Sequence, residues 1–161
     1  MTRAFVGNLG AFLDAVAWSE IGPALLAASD DGYDVIVGST PAHPNLFTSY
    51  ADHPRKLINL GAHLESTAAG RYQILARYFD SYKATLGLPD FSPGSQDRIA
   101  AQMIRERAGA MEAITAGQFQ VAVSLVRNLW ASLPGAGYGQ HENLFATIQT
   151  AYAAAGGTIG V

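Results

Sequence analysis

Glu20 is the residue whose position points most directly to chemistry. It follows Leu13 by seven positions, Val16 by four and Ala17 by three, so it continues the apolar stripe of a predicted helix. A carboxyl group at the end of a buried face is desolvated, which raises its pKa and lets it act as a general acid. The alternative is a solvated helix end with Glu20 as an ordinary surface carboxylate. The spacing alone allows both.

The aspartates that follow Glu20 are candidates for the second carboxylate that glycoside hydrolysis normally uses. Asp30, Asp31 and Asp34 follow it by 10, 11 and 14 positions. The first two precede a glycine and are typical of a turn. Asp34 lies in a predicted strand and could face a cleft or water. None of the three stands out as a partner for Glu20.

Other catalytic chemistry has little support in the sequence. The chain has no cysteine, which excludes disulfides and thiol catalysis. Its histidines, at positions 43, 53, 63 and 141, do not have the spacing of a metal site. The glycine-rich segment 133–139 lacks the lysine of a phosphate-binding loop. We therefore expect no metal and no organic cofactor.

Two segments could contact a saccharide. The glycine-rich segment 133–139 is either a plain turn between helices or a flexible wall that presents Tyr138 to a sugar ring. Residues 70–73 either cap the start of a helix or place Tyr72 and Gln73 where they can stack on a saccharide and hydrogen-bond to it.

The composition predicts a single domain over residues 1–161. With 49% hydrophobic residues, a chain of 161 residues can build its own core. The net charge of -3 gives no indication of nucleic-acid binding. No apolar run reaches the roughly 20 residues that span a bilayer, and Asn8 and Asp14 interrupt the apolar N-terminal stretch, unlike a secretory signal. We expect no signal peptide and no stable membrane association.

Helical patterns dominate the predicted elements. The first helix carries Leu13 and Val16 and ends near Glu20. Residues 33–38 predict a strand that pairs with residues 47–50, in the only sheet that we expect. Further helices are predicted over residues 72–86, from Pro93 onward, and over 110–116, 119–130 and 142–155. The fold class is therefore α+β, mostly helical, with a small antiparallel sheet.

At these residues the sequence resembles the lambda-type phage endolysins, a family of peptidoglycan lytic transglycosylases. The similarity extends over most of the chain in ordered segments. These segments are residues 11–14, 17–20, 32–38, 52–57, 66–73, 86–88, 90–93 and 129–140. Residues 21–31 and the loop 39–45, with its two prolines, match the family poorly.

The resemblance implies a lysozyme-like domain with the small sheet beside a cleft that holds alternating N-acetylglucosamine and N-acetylmuramic acid. It implies that Glu20 is the single catalytic acid. Glu20 would protonate the glycosidic oxygen and then take the proton of the muramyl C6 hydroxyl as that hydroxyl attacks C1, which leaves a 1,6-anhydromuramyl end. We expect the substrate contacts to come from Ser19, Asp34, Ser66, Tyr72, Gln73 and Tyr138.

Two alternatives remain beside this expectation. The chain could be a hydrolysing muramidase in which Asp34 or Asp31 directs water, or a glycan-binding domain without activity. The resemblance further implies a phage protein whose partner is the glycan strand of peptidoglycan. It would accumulate in the host cytoplasm and reach the periplasm through a separate holin-type pore. We expect it to act as a monomer.

Overall fold

A computed structural model describes residues 4–160 of the chain. It contains seven helices and two short strands within these residues. In chain order they are α1 (Gly7–Ile21), α2 (Pro23–Ala27), β1 (Ile58–Asn59), β2 (Glu65–Ser66), α3 (Ala76–Leu86), α4 (Pro93–Arg105), α5 (Ala110–Thr115), α6 (Phe119–Val126) and α7 (Phe145–Ala154). The predicted class, mostly helical α+β with a small antiparallel sheet, is confirmed.

The described residues form two compact units. Unit 1 comprises residues 4–20 and 100–160, and unit 2 comprises residues 21–99. None of the helices within residues 4–160 is long and apolar enough to cross a membrane. That residues 1–161 form one catalytic domain stays a prediction.

Unit 1 has an aromatic core around Phe119. Its ring stacks on Tyr152 at 4.4 Å between centroids and meets the edge of Phe12, on α1, at 5.7 Å. Most of α1 is buried rather than a single stripe of it, since residues 11–13 and 15–17 are all at most 3% exposed. A helix that is apolar on most faces is expected to be buried in this way. The core therefore fixes α1, whose last turn carries Glu20.

Unit 2 has a second aromatic core, in which Phe91 packs against Phe79 at 4.9 Å and against His53 at 4.8 Å. Helix α4 contributes buried polar side chains to this unit, and Asp97 accepts hydrogen bonds from the hydroxyls of Tyr33 and Tyr72. A buried carboxylate needs such partners, because its desolvation is otherwise costly. The imidazole of His53 is enclosed in this core and contacts the backbone oxygen of Ile74, so it is not placed for metal chemistry.

The position of the sheet differs from the prediction. Residues 33–38 form no ladder with residues 47–50, because the backbone turns at both ends of the segment. The N–H of Val35 donates to the backbone oxygen of Gly32, and the N–H of Ser39 donates to that of Ile36. Only isolated bridges remain, one of them between Val35 and Leu46. The antiparallel ladder instead joins β1 and β2 around a turn in which Gly61 has a φ of 85°.

Candidate active site

Glu20 lies in the last turn of α1 and is half-buried. Burial raises the pKa of its carboxyl group, and two hydrogen bonds from Ser132 act in the opposite direction. This is the direction that desolvation at the end of a buried helix face predicts. A carboxyl group in this setting holds a proton at higher pH than an exposed glutamate does, as a general acid must.

Three polar residues form a series of hydrogen bonds that ends on this carboxyl group. The hydroxyl of Ser132 donates to Oε1 of Glu20 at 2.7 Å and lies 2.8 Å from the hydroxyl of Ser19. The side-chain amide of Asn143 donates to Oγ of Ser19 at 3.0 Å and to its backbone oxygen at 3.1 Å. Ser19 therefore reaches the carboxylate through Ser132, and its expected contact with substrate stays a prediction.

Ser132 and Asn143 were not among the residues expected at the site. Ser132 follows Glu20 by 112 positions in the chain, so no helical spacing connects the two. The segment 129–140, which contains Ser132, is part of the family resemblance, and that was the available signal. Asn143 lies beyond that segment, and no sequence pattern indicated it.

The glycine-rich loop after Ser132 is held by Glu142. The carboxylate accepts hydrogen bonds from the backbone N–H groups of Gly135, at 2.9 Å, and Gly137, at 3.0 Å. Both glycines have φ near the left-handed region, 77° and 79°, which L side chains rarely adopt. Tyr138 is 55% exposed, and its hydroxyl donates to the backbone oxygen of Asn128 at 2.6 Å. The loop thus presents an accessible aromatic ring from a fixed backbone.

Replacing Glu142 by Gln is expected to loosen this loop. The N–H groups of Gly137 and Gly135 lower the pKa of Glu142, so the carboxylate form is the one that they favour. Hydrogen-exchange protection factors of these two amides should fall in the variant. They should also fall in the parent protein as the pH drops through the lowered pKa, because a protonated carboxyl accepts more weakly. Protection that is unchanged in both experiments, relative to the exposed control Glu112→Gln, would contradict this role.

In unit 2, residues 70–73 form a turn and do not open a helix as predicted. Ala69 and Ile74 pair across it, and α3 begins only at Ala76. Gly70 and Gln73 have φ values of 81° and 48°, so neither can lie in a right-handed helix. A side chain at Gly70 would overlap the amide of Gln96, which explains the glycine there.

The two saccharide candidates on this turn differ in accessibility. Tyr72 is 2% exposed and donates to Asp97, so its ring has no face to offer a sugar, and the expected stacking role is corrected to a structural one. Gln73 is half-buried, and its amide nitrogen donates to the backbone oxygen of Gly70 at 2.9 Å. The amide oxygen makes no hydrogen bond within residues 4–160, and an acceptor is therefore available at this position.

The remaining candidates of unit 2 have local partners. Asp34 accepts a hydrogen bond from the backbone N–H of Asp30 at 2.9 Å. Ser66, in β2, accepts one from the N–H of Ala68 at 3.1 Å. Roles for Asp34 and Ser66 in substrate binding stay predictions. Within residues 4–160, no group of three or more His, Asp or Glu side chains is arranged to hold a metal ion.

The sequence pattern of the Endolysin family matches residues 10–159 of this chain. The chain is 50% identical to the endolysin of Escherichia phage lambda over 150 residues, which are 92% of this chain and 91% of that protein. It is 47% identical to the endolysin of Escherichia phage P2 over 156 residues, 93% of either protein.

Solved structures show the same relationship in three dimensions. A bacteriophage lambda lysozyme complexed with a chitohexasaccharide matches with a TM-score of 0.89 and 48% sequence identity, over 99% of both chains. A structure of lysozyme from bacteriophage lambda matches with a TM-score of 0.79 and 45% identity, again over 99% of both chains. These matches confirm the predicted lysozyme-like fold. Because the family pattern extends over nearly the whole chain and the two endolysins share 50% and 47% of its residues, the chain belongs to the Endolysin family.

Proposed function

We propose that this chain is a lytic transglycosylase that cleaves the β-1,4 bond between N-acetylmuramic acid and N-acetylglucosamine in peptidoglycan, with Glu20 as its catalytic acid and base. The observation that carries the proposal is the carboxyl group of Glu20, whose pKa is raised by burial and whose Oε1 accepts a hydrogen bond from the hydroxyl of Ser132. Membership of the Endolysin family supports the same assignment.

The reaction needs one group that first gives a proton and then takes one. Protonated Glu20 donates to the glycosidic oxygen, so the C1–O bond breaks and the N-acetylglucosamine leaves with a free hydroxyl. The cationic C1 is stabilised by the N-acetyl group of the same muramyl residue. The C6 hydroxyl then attacks C1 and passes its proton to the Glu20 carboxylate, which restores the acid. A pKa raised toward the working pH suits both steps.

The environments of the three aspartates that follow Glu20 in the chain support a mechanism with a single carboxylate. A hydrolase of the usual kind would use one of them to direct water or to attack C1. Asp30 accepts from the hydroxyl of Tyr50 at 2.6 Å. Asp31 forms an ion pair with Arg71 at 2.8 Å, and Asp34 accepts from the backbone as described above. Each of the three is therefore already engaged in a contact within unit 2.

Binding of a glycan strand is supported by the exposed ring of Tyr138 and by the half-buried amide of Gln73. Tyr138 offers an aromatic ring, and such rings stack on the apolar faces of sugars. Gln73 offers an amide oxygen that can accept from a hydroxyl or an N-acetyl N–H. The similar lambda lysozyme was solved with a chitohexasaccharide, which supports a glycan as the ligand of this chain. We further propose that it works as a monomer without a cofactor and reaches the cell wall through a holin-type pore.

Mass spectrometry of the soluble muropeptides released from purified peptidoglycan tests this proposal. We expect products that are lighter by one water than the hydrolysis products, with no reducing muramic acid end. The anhydro ends form because the C6 hydroxyl replaces water as the attacking group. Products with ordinary reducing ends would overturn the transglycosylase assignment in favour of a hydrolysing muramidase. Asp34→Asn and Asp31→Asn would then be the variants to compare for loss of water addition.

A further inference from the structure

Asn143, Ser19, Ser132 and Glu20 form an unbroken series of hydrogen bonds in unit 1. We infer that the first three residues act as a one-way chain of donors that ends on Oε1 of Glu20 and so assigns the transferred proton to Oε2. This inference rests on the proposed function, since it concerns the group that would be the catalytic acid. Ser132 and Asn143 are then positioning residues, because they act on the substrate only through Glu20.

The direction of the chain is set at Asn143. Its side-chain nitrogen lies 3.1 Å from the backbone oxygen of Ser19. A carbonyl oxygen can only accept, so the amide must present its NH₂ group on this side and not its oxygen. The same NH₂ group lies 3.0 Å from Oγ of Ser19. Oγ of Ser19 therefore accepts a hydrogen bond, and its own proton is free to point onward.

The next two steps follow from the single proton that each hydroxyl carries. The hydroxyls of Ser19 and Ser132 are 2.8 Å apart, and either could donate by distance alone. Because Ser132 uses its proton on Oε1 of Glu20, at 2.7 Å, Ser19 is the donor between the two hydroxyls. Their separation is shorter than the 3.3 Å between Oγ of Ser19 and the backbone oxygen of Ser132, the other acceptor within its reach. Hydrogen bonds that run in one direction polarise one another, which strengthens the last donor.

A backbone hydrogen bond holds the two ends of the donor chain in place. The N–H of Asn143 donates to the backbone oxygen of Ser132 at 2.8 Å, which closes the base of the loop formed by residues 133–142. The two residues at the ends of the loop are thus held together independently of the loop between them. The donor chain consequently starts and ends on a fixed backbone, with helix α1 supplying Ser19 and Glu20.

This arrangement gives the two oxygens of the Glu20 carboxyl group different roles. Oε1 accepts the proton of the Ser132 hydroxyl, so the acid proton resides on the other oxygen, Oε2. The same oxygen would give the proton to the glycosidic oxygen and receive the proton of the C6 hydroxyl. The donor chain also stabilises the carboxylate that forms between these two steps, whereas burial alone opposes it.

The test compares pH profiles of kcat on purified peptidoglycan for the parent protein, Ser132→Ala, Ser132→Thr and Asn143→Ala, with Ser124→Ala as the control. Ser124 is exposed on α6 of the same unit. Without the donor, the carboxylate of Glu20 is less stable, so the alkaline limb of Ser132→Ala should move to higher pH by about one unit, with about a tenfold loss of kcat at the optimum. Ser132→Thr should restore both, since it keeps the hydroxyl.

A direct titration of Glu20 by carbon NMR gives a second readout that a merely structural role would not change. Its pKa should rise in Ser132→Ala, and by less in Asn143→Ala, which keeps the last donor but loses the first. If Ser132→Ala does not fold, Asn143→Ala decides the question alone. If the alkaline limbs and the Glu20 titrations of the Ser132 and Asn143 variants coincide with those of Ser124→Ala, while Glu20→Gln is inactive, the donor chain is overturned. An active Glu20→Gln would instead overturn the proposed function.

Discussion

Replacing Glu20 by Gln is expected to reduce the release of soluble muropeptides from purified peptidoglycan by about a thousandfold, within the range that general acid–base catalysis contributes. The amide has nearly the same shape as the carboxyl group, but it can neither donate an acidic proton to the leaving oxygen nor take one from the C6 hydroxyl. Its oxygen can still accept the hydrogen bond from Ser132. The loss should therefore appear in kcat, with little change in KM.

The same variant provides its own control for folding, through the pH dependence of stability. Burial raises the pKa of Glu20 above 4.5 in the folded protein. A group with a raised pKa stabilises the fold below its unfolded pKa, and this contribution is lost as the pH rises through the folded pKa. The amide does not titrate. The Tm of Glu20→Gln should therefore match that of the parent at acidic pH and exceed it at neutral pH.

Glu112→Gln is the matched comparison, because Glu112 is an exposed glutamate of the same unit. It should leave both the activity and the pH dependence of Tm as they are in the parent. Release of muropeptides by Glu20→Gln at a rate near that of Glu112→Gln would rule out Glu20 as the catalytic acid. A lower Tm at neutral pH would show that the carboxylate, not the neutral acid, is the form that the fold favours.

A single helix carried the pattern that made Glu20 a candidate, and the family resemblance then favoured it over a solvated helix end. Leu13, Val16 and Ala17 are at most 3% exposed on α1, and the structure places the carboxyl group that continues their spacing in a desolvated position. The same reasoning could not identify the residues that complete the environment of Glu20. Ser132 and Asn143 approach α1 only through tertiary packing, at separations of 112 and 124 positions from their partners.

The sheet and the turn at residues 70–73 are elements for which the local sequence pattern predicted a different structure. The β-branched residues between 33 and 38 favour a strand locally, but turns on both sides leave only single bridges. The spacing of Tyr72 and Phe79 fits a helix, yet Tyr72 lies before α3 and is buried through its bond to Asp97. Local turns decide the conformation around residues 33–38, and a long-range hydrogen bond holds Tyr72, whereas the periodicity of the sequence indicates neither.

The turn that carries Gln73 depends on Gln96 of α4, which is completely buried. Oε1 of Gln96 accepts from the N–H of Arg71 at 2.9 Å, while Nε2 donates to the backbone oxygens of Tyr33, at 3.0 Å, and Phe91, at 2.9 Å. These backbone partners also fix the orientation of the amide, since an N–H can only donate and a carbonyl can only accept. One side chain therefore holds three separate segments of unit 2.

Replacing Gln96 by Leu is expected to lower the free energy of unfolding by about 4 kcal/mol, because three buried backbone groups would lose their partner at roughly 1–3 kcal/mol each. Urea unfolding measures this loss. Gln102→Leu is the control on the same helix, since Gln102 is half-buried and its side chain makes a single 3.4 Å contact, with Glu106, among residues 4–160. It should change stability by less than about 1 kcal/mol.

Hydrogen exchange separates a general loss of stability from a specific release of the turn. In Gln96→Leu the amide of Arg71 should lose its protection beyond the fall in global stability, because its acceptor is gone, whereas the amide of Phe79 bonds to the backbone oxygen of Leu75 and should follow the global value. A stability loss below about 1 kcal/mol, with Arg71 still protected, would mean that water replaces the side chain. Gln96 would then not be what holds Gln73 in its turn.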